Sequence, residues 1–272
     1  SISVVKANML YVDKQGVSQK AQNQIRRLAA FGNPEFYRAQ AMHQSVYGKS
    51  RIVWCGEEDE RNIMLPRGCE QKLVRLVSGH GCVCSFDDCR NKGERLKVEF
   101  KGELRGRQQK AADVLLHHEN GVLSAPTGFG KTIVGAYLIG KLKVSTLIIV
   151  PKTSLVEQWK TRLAQFLSIE DDRPPLLTKS GKLSKRRRPV IGQLGGGKNA
   201  PSGIIDIATF QSLSIKDDLG IPRAKPVVAD YDLVICDECH YGAAPNLELI
   251  MKSVNARWVY GLSATPKRSD GL

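Results

Sequence analysis

From residue 101 onward the apolar residues fall into short, nearly continuous runs separated by stretches of helical spacing. Runs over 121–124, 145–150, 190–194, 204–208, 233–236 and 258–262 have the pattern of strands buried on both faces. Between them, periodicity near 3.6 predicts helices around 107–119, 131–142, 154–166, 210–213 and 245–254. Strand alternating with helix predicts an α/β unit whose parallel sheet is covered by helices on both faces.

The first hundred residues read differently, as a small α+β unit. Ser18 can cap a helix running to Phe31, with Ala21, Ile25, Leu28 and Ala29 on one face. Gly32-Asn33-Pro34 ends it and leads into a second helix over 35–43. Arg51-Ile-Val-Trp-Cys55 reads as a strand followed by an acidic loop, and Leu65-Pro-Arg-Gly68 turns into a helix over 69–77. Strands over 82–86 and 96–100 close the unit, so two domains are expected, 1–100 and 101–272. A Pro-, Gly- and Lys-rich stretch over 170–198 holds Lys185-Arg-Arg-Arg188, which could bind phosphates or act as a nuclear address and reads equally as a solvated loop. There is no internal repeat.

Charge adds a partner class. The 272 residues carry a net charge of +14, spread along the chain rather than confined to a tail, which favours a polyanion. In the first unit Arg26, Arg27, Arg38, Lys49, Arg51 and Arg67 are interleaved with Phe36, Tyr37 and Tyr47. That set could touch a nucleic-acid backbone and stack on bases, or be a solvated basic face over an ordinary core. Seven cysteines without a pairing framework fit a reducing compartment. Cys82, Cys84 and Cys89, with Cys69 nearby, invite a zinc reading but lack paired C-x2-C knuckles, and 82–87 fits a strand equally well. Residues 1–8 lack the apolar core of a signal peptide, and no apolar run is long enough to span a bilayer, so a cytoplasmic protein without a membrane partner is expected.

The chemistry lies in two motifs. Ala125-Pro-Thr-Gly-Phe-Gly-Lys-Thr132 sits between a predicted strand and a predicted helix. There Thr127, Gly128, Phe129 and Gly130 would let backbone amides approach a polyphosphate, Lys131 would reach its outer phosphates, and the Thr132 hydroxyl would ligate Mg²⁺. Ala125 stands where the general pattern has glycine. Further on, Tyr231-Asp-Leu-Val-Ile-Cys-Asp237-Glu238-Cys239-His240 brings two adjacent carboxylates to the end of an apolar strand, the edge where open α/β sheets bind ligands. Asp237 is placed to hold Mg²⁺, and Glu238 to orient and deprotonate an attacking water. Gly195-Gly-Gly-Lys198 is not a second phosphate loop, because no hydroxyl follows its lysine and no helix follows the turn.

These motifs carry a family resemblance. Asp-Glu-Cys-His at 237–240 resembles the acidic box of superfamily 2 helicases. Gly261-Leu-Ser-Ala-Thr-Pro-Lys-Arg268 is similar to their Ser-Ala-Thr motif as it occurs in the repair-type branch, with the xeroderma type B translocase, phage recombination helicases and type III restriction motors. The resemblance implies a first RecA-like ATP-binding domain over 101–272 behind a damage-recognition-like accessory domain. It implies ATP and Mg as cofactors, and ATP-driven movement on nucleic acid, DNA in the first place. Leu104-Arg-Gly-Arg-Gln108 resembles the family's entry motif, so that Gln108 with Arg105 would read adenine, although Gly106-Arg107 replace an aromatic-bearing pair. Pro151, Thr153, Ser154 and Gln158 followed by Trp159, with Thr209, Gln211 and Ser212, are similar to the motifs that grip a strand's sugar-phosphate backbone. Catalytic roles fall on Lys131, Asp237, Glu238 and His240, and Ser263 and Thr265 would sense the γ-phosphate beside His240.

Phe31-Gly-Asn-Pro-Glu-Phe-Tyr37, Gln40-Ala-Met42, Leu65-Pro-Arg-Gly-Cys69 and the 195–198 turn further resemble bacterial helicases of primase-linked TOTE conflict systems, which would add primase or nuclease partners. The resemblance also implies a second RecA-like domain, so the chain is expected to be part of a longer motor. Two other readings stay open: a non-catalytic nucleic-acid-binding module, and the motor portion of a restriction or conflict system.

Overall fold

The computed structural model describes residues 1–174, 189–239 and 245–264. Two compact units are present, one of Ser1–Arg90 and one beginning at Asn91. The first runs β1 (Ile2–Lys6), β2 (Leu10–Asp13), α1 (Gln19–Arg27), β3 (Ala30–Gly32), α2 (Pro34–Ala41), β4 (Ile52–Trp54), β5 (Glu57–Glu58), β6 (Asn62–Leu65), α3 (Glu70–Gly79) and β7 (Cys84–Asp88). Its sheet has the order β5-β6-β2-β1-β7, antiparallel except for β1 with β7. Ile25 and Ala29 join Leu73 and Val77 of α3 over Val4, Leu10, Val12, Ile63 and Leu65 in one core.

Helix α1 starts as the capping residue predicts, with Ser18 Oγ accepting from the Ala21 amide at 3.3 Å. It ends at Arg27 rather than at Phe31, because the next backbone is taken up by a ladder. The Cys55 amide donates to Ala29 O at 2.9 Å, and β3 pairs antiparallel with β4, Phe31 opposite Val53. The acidic loop expected after Cys55 is held as an edge strand, where Glu58 accepts from Arg26 at 2.7 Å and Lys14 at 3.1 Å. Arg26, a candidate phosphate contact, is thereby already committed to a carboxylate.

The second unit runs β8 (Val98–Phe100), α4 (Gly106–Leu116), β9 (Asn120–Ser124), α5 (Lys131–Leu142), β10 (Thr146–Val150), α6 (Thr153–Phe166), β11 (Leu167–Ile169), β12 (Ile191–Gly195), β13 (Lys198–Ala200), β14 (Ile205–Thr209), a 3-10 turn at Phe210–Leu213, β15 (Ser214–Lys216), β16 (Pro222–Ala224), β17 (Leu233–Asp237), α7 (Pro245–Ser253) and β18 (Trp258–Ser263). Its main sheet has the order β13-β12-β14-β10-β17-β18-β9, with every neighbour parallel except β13.

All five residues of β10, of β14 and of β17 are buried, which is why they read as nearly continuous apolar runs, broken in β14 by the buried Asp206. Successive side chains go to opposite faces. Ile148, Val150, Leu233 and Ile235 pack beneath α4, α5 and α6, while Leu147, Ile149, Val234 and Cys236 pack with Leu247 and Ile250 of α7. Because six strands run the same way, their C-terminal ends, from Ser124 to Thr209, Asp237 and Ser263, lie along one edge. Among the described residues, no helix is long and apolar enough to cross a membrane.

One expected strand changes unit. The run over 96–100 does not close the first unit. Its β8 pairs antiparallel with β11, Phe100 opposite Leu167, and Val98 is fully buried in the second unit's core.

Helices α5 and α6 approach closely at Gly135. A Cβ there would stand 2.6 Å from Trp159 Cη2, inside van der Waals contact with a fully buried ring. Gly135→Ala is therefore expected to destabilise the second unit by about 1–3 kcal/mol through overpacking, measured as a lower urea midpoint; an unchanged midpoint would disprove this contact.

Candidate functional site

Strand β9 leads directly into the loop over 125–130, and α5 begins at Lys131. The Ala125 amide donates to Ser263 O at 3.0 Å, tying the start of the loop to β18, and Ala125 O accepts from Lys131 Nζ at 3.1 Å. Lys131 is buried, so its ammonium is held where the first amides of α5 also point. Gly130 caps the helix with φ +89°. A Cβ at that position would fall 2.5 Å from Gln108 Nε2, so both backbone angle and space require glycine.

Gln108 braces this loop from α4. Its Nε2 donates to Phe129 O at 2.7 Å, its Oε1 accepts from the Arg105 amide at 2.9 Å, and Arg105 Nη2 also reaches Phe129 O at 3.3 Å. Gln108 is 3% exposed and lies behind the loop, whereas Arg105 lines the cleft in front. Phe129 contributes its carbonyl to this bracing, and its side chain packs against the core.

On the neighbouring strands, β17 carries Asp237 to the same edge. The carboxylate accepts from Trp159 Nε1 through Oδ2 at 2.8 Å and from the Glu238 amide through Oδ1 at 3.0 Å. Burial holds the Asp237 carboxyl above its ordinary range. The Glu238 charge pushes it the same way, and the two hydrogen bonds and Lys131 oppose them. Glu238 has φ +51°, a left-handed turn that directs the chain out of the strand immediately after Asp237.

Thr127, Gly128, Gly130, Lys131, Thr132, Asp237 and Glu238 line one cleft of about 490 Å³, with Arg105 at its side. This set fits a nucleotide with a divalent cation. Loop amides, an ammonium and a hydroxyl face a carboxylate pair, and a carboxylate whose ionisation is opposed by burial and by a like charge is relieved by a metal ion.

Three further cleft residues come from α6: Leu155, Gln158 and Arg162, spaced so that one helix face carries them. Gln158, expected among the strand-gripping residues, lines this cleft. Helical spacing turns it about 140° away from Thr153 but sets it one turn on from Ser154, on the same side of a helix that starts at the sheet edge. The other gripping candidates do gather there. Gln211 Nε2 reaches Pro151 O at 3.4 Å, and Ser212 Oγ bonds Thr209 O at 2.7 Å and Leu194 O at 2.8 Å. Ser263 is buried at the end of β18. His240, Thr265 and the 185–188 basic run fall outside the described residues.

Sequence reasoning placed Trp159 beside Gln158 in a strand-gripping motif, and missed Arg162 and the inward hydrogen bond of Trp159. Trp159 had a signal, since a tryptophan within an amphipathic helix must find an acceptor for its N–H; Arg162 could have been found by continuing the period from Leu155. In the first unit, Tyr37 and Tyr47 are exposed, and the Arg51 guanidinium lies 5.8 Å from the Phe36 ring centroid.

A parallel sheet with a glycine loop and an acidic pair at one edge is a RecA-like arrangement, and the family profile and relatives place it in the superfamily 2 class. The chain belongs to the family of the type III restriction enzyme res subunit, whose profile matches residues 101–268. It is 29% identical over 174 residues to the DNA 3'-5' translocase XPB2 of Sulfurisphaera tokodaii, covering 64% of this chain and 33% of that protein. It is 31% identical over 169 residues to the DNA 3'-5' helicase XPB of Kineococcus radiotolerans, covering 62% of this chain and 27% of that one. The matched region thus spans a third or less of these relatives' length. Among solved structures, the UvsW helicase from Bacteriophage T4 superposes with a TM-score of 0.64 over 100% of this chain and 94% of that one, at 18% identity, a likeness of fold.

Proposed function

We propose that this chain is the nucleotide-hydrolysing part of an ATP-driven helicase or translocase acting on DNA, completed by a second RecA-like domain in a longer protein. One observation carries the reading: Lys131, Thr132, Asp237 and Glu238 line a single cleft at the edge where the strands end.

In this mechanism the loop amides and Lys131 hold the β- and γ-phosphates of ATP. Arg105 flanks the nucleotide, and Gln108 keeps the loop in shape from behind. Mg²⁺, held by Thr132 and Asp237, would neutralise charge on the phosphates. Glu238 orients a water toward the γ-phosphorus and accepts its proton as the new P–O bond forms and ADP leaves. The hydroxyls and amides of Pro151, Thr153, Ser154, Thr209, Gln211 and Ser212 contact a strand's phosphates without reading its sequence. His240, Ser263 and Thr265 would report the γ-phosphate to that edge. The accessory unit adds the exposed aromatics and cations around Tyr37, Tyr47 and Arg51 as a second contact with DNA.

The test is ATP hydrolysis by the full-length protein without nucleic acid and with single-stranded DNA, duplex DNA or RNA. Stimulation of about tenfold or more by DNA is expected, because positioning and charge neutralisation supply nearly all of this catalysis. Hydrolysis that no nucleic acid changes would remove the motor, and DNA binding without any ATP binding would favour the non-catalytic module.

A further inference from the structure

Trp159, grouped by sequence with Gln158 in a strand-gripping motif, turns inward instead. It is fully buried on α6, wedged over Gly135, and its indole N–H donates 2.8 Å to Asp237 Oδ2. A buried indole has one donor and no choice of direction, since ring and hydrogen bond move together. The partner atom belongs to a carboxylate that is 8% exposed and whose other oxygen already accepts the Glu238 amide. Each carboxylate oxygen thus has one lone pair committed within the protein and one left over. The carboxylate plane is fixed by two donors that approach from the helix and from the backbone.

We propose that Trp159 is a positioning residue for Asp237: it locks the carboxylate in the rotamer that presents an oxygen to a divalent cation in the cleft. This rests on the reading of the cleft as a nucleotide and Mg²⁺ site. Outer-shell donors of this kind set the orientation of a ligating carboxylate, and their loss commonly lowers metal affinity 10- to 100-fold. The indole also connects two regions. Helix α6 begins with Thr153 and Ser154 at the gripping edge, and its second turn holds the carboxylate, so one rigid element touches both.

The chain has three tryptophans, Trp54, Trp159 and Trp258, and a W54F/W258F variant leaves Trp159 as the sole indole emitter. Titrating Mg²⁺ into the full chain with ADP is expected to change that emission saturably, with no change when EDTA replaces Mg²⁺. Calorimetry on the same samples reports nucleotide binding separately. Binding of ADP with Mg²⁺ but no emission change overturns the positioning role; no ADP binding at all overturns the nucleotide site instead. In a second arm, Trp159→Phe keeps an aromatic ring and removes the donor. The Mg²⁺ concentration giving half-maximal ADP binding should rise about tenfold or more, with a larger loss of ADP affinity in Mg²⁺ than in EDTA. An unchanged Mg²⁺ dependence in a variant with a normal melting transition overturns the proposal, and if the variant does not fold, the emission titration decides.

Discussion

Glu238→Gln is expected to leave ATP affinity within about threefold and to lower DNA-stimulated turnover of the full-length protein by about 10³-fold. The substitution keeps the side chain's length and changes one oxygen to an amide nitrogen, so the cleft retains its shape while losing the group that takes the water's proton. The left-handed backbone at this residue, φ +51°, is imposed on glutamine as on glutamate and does not distinguish the two. Nucleotide binding is also eased, because one of two neighbouring carboxylate charges is gone and Asp237 ionises more readily. Single-turnover hydrolysis beside equilibrium binding checks this. A variant that keeps turnover within tenfold of the parent would exclude Glu238 as the base.

Lys131→Ala should have an effect of similar size by a different route. Its ammonium is the cation of the phosphate loop, buried against Ala125 O at 3.1 Å, and it opposes the forces that disfavour an ionised Asp237. Removing it deprives the transferring phosphoryl of a preorganised positive charge, worth about 10²- to 10³-fold in rate. It also leaves the carboxylate pair with less compensation, so ATP affinity falls as well, by about tenfold or more. Both quantities therefore decrease here, whereas at Glu238 only turnover does. ATP binding by calorimetry and turnover under saturating ATP separate the two. Unchanged affinity would show that the lysine does not reach the phosphates.

The α/β unit was legible because its strands are buried on both faces. Six apolar runs became six neighbouring strands of one sheet, each within about two residues of its expected ends. The loop over 125–132 and the acidic pair were legible as motifs from residue type and spacing, and their residues line one cleft. The small unit was less so: β1, β2 and β6 are five residues or shorter and bury only some of their side chains, leaving little period to detect. The fate of 96–100 was not legible either, since its partner β11 lies nearly seventy residues later, beyond three helices and two strands of the sheet. On α6 the difficulty was of another kind. Thr153 and Ser154 mark the sheet edge, Leu155, Gln158 and Arg162 face the cleft, and Trp159 turns inward to Asp237. A single helix thus turns its residues toward three surroundings through its periodicity.

The seam between β8, β11 and α5 bears on where this protein can be cut. The family match begins at residue 101, yet Phe100 lies so close over α5 that a Cβ on Gly140 would fall 2.8 Å from its Cβ, and Val98 is wholly enclosed. Asn91, further upstream, clasps the carbonyls of Ala229 and Tyr231 at 2.6 and 2.9 Å. A recombinant product trimmed to the homology boundary would therefore lose a staple, uncover an oily strip along a helix and leave β11 with an open ladder ready to recruit another chain. The natural place to start such a product is ahead of Asn91.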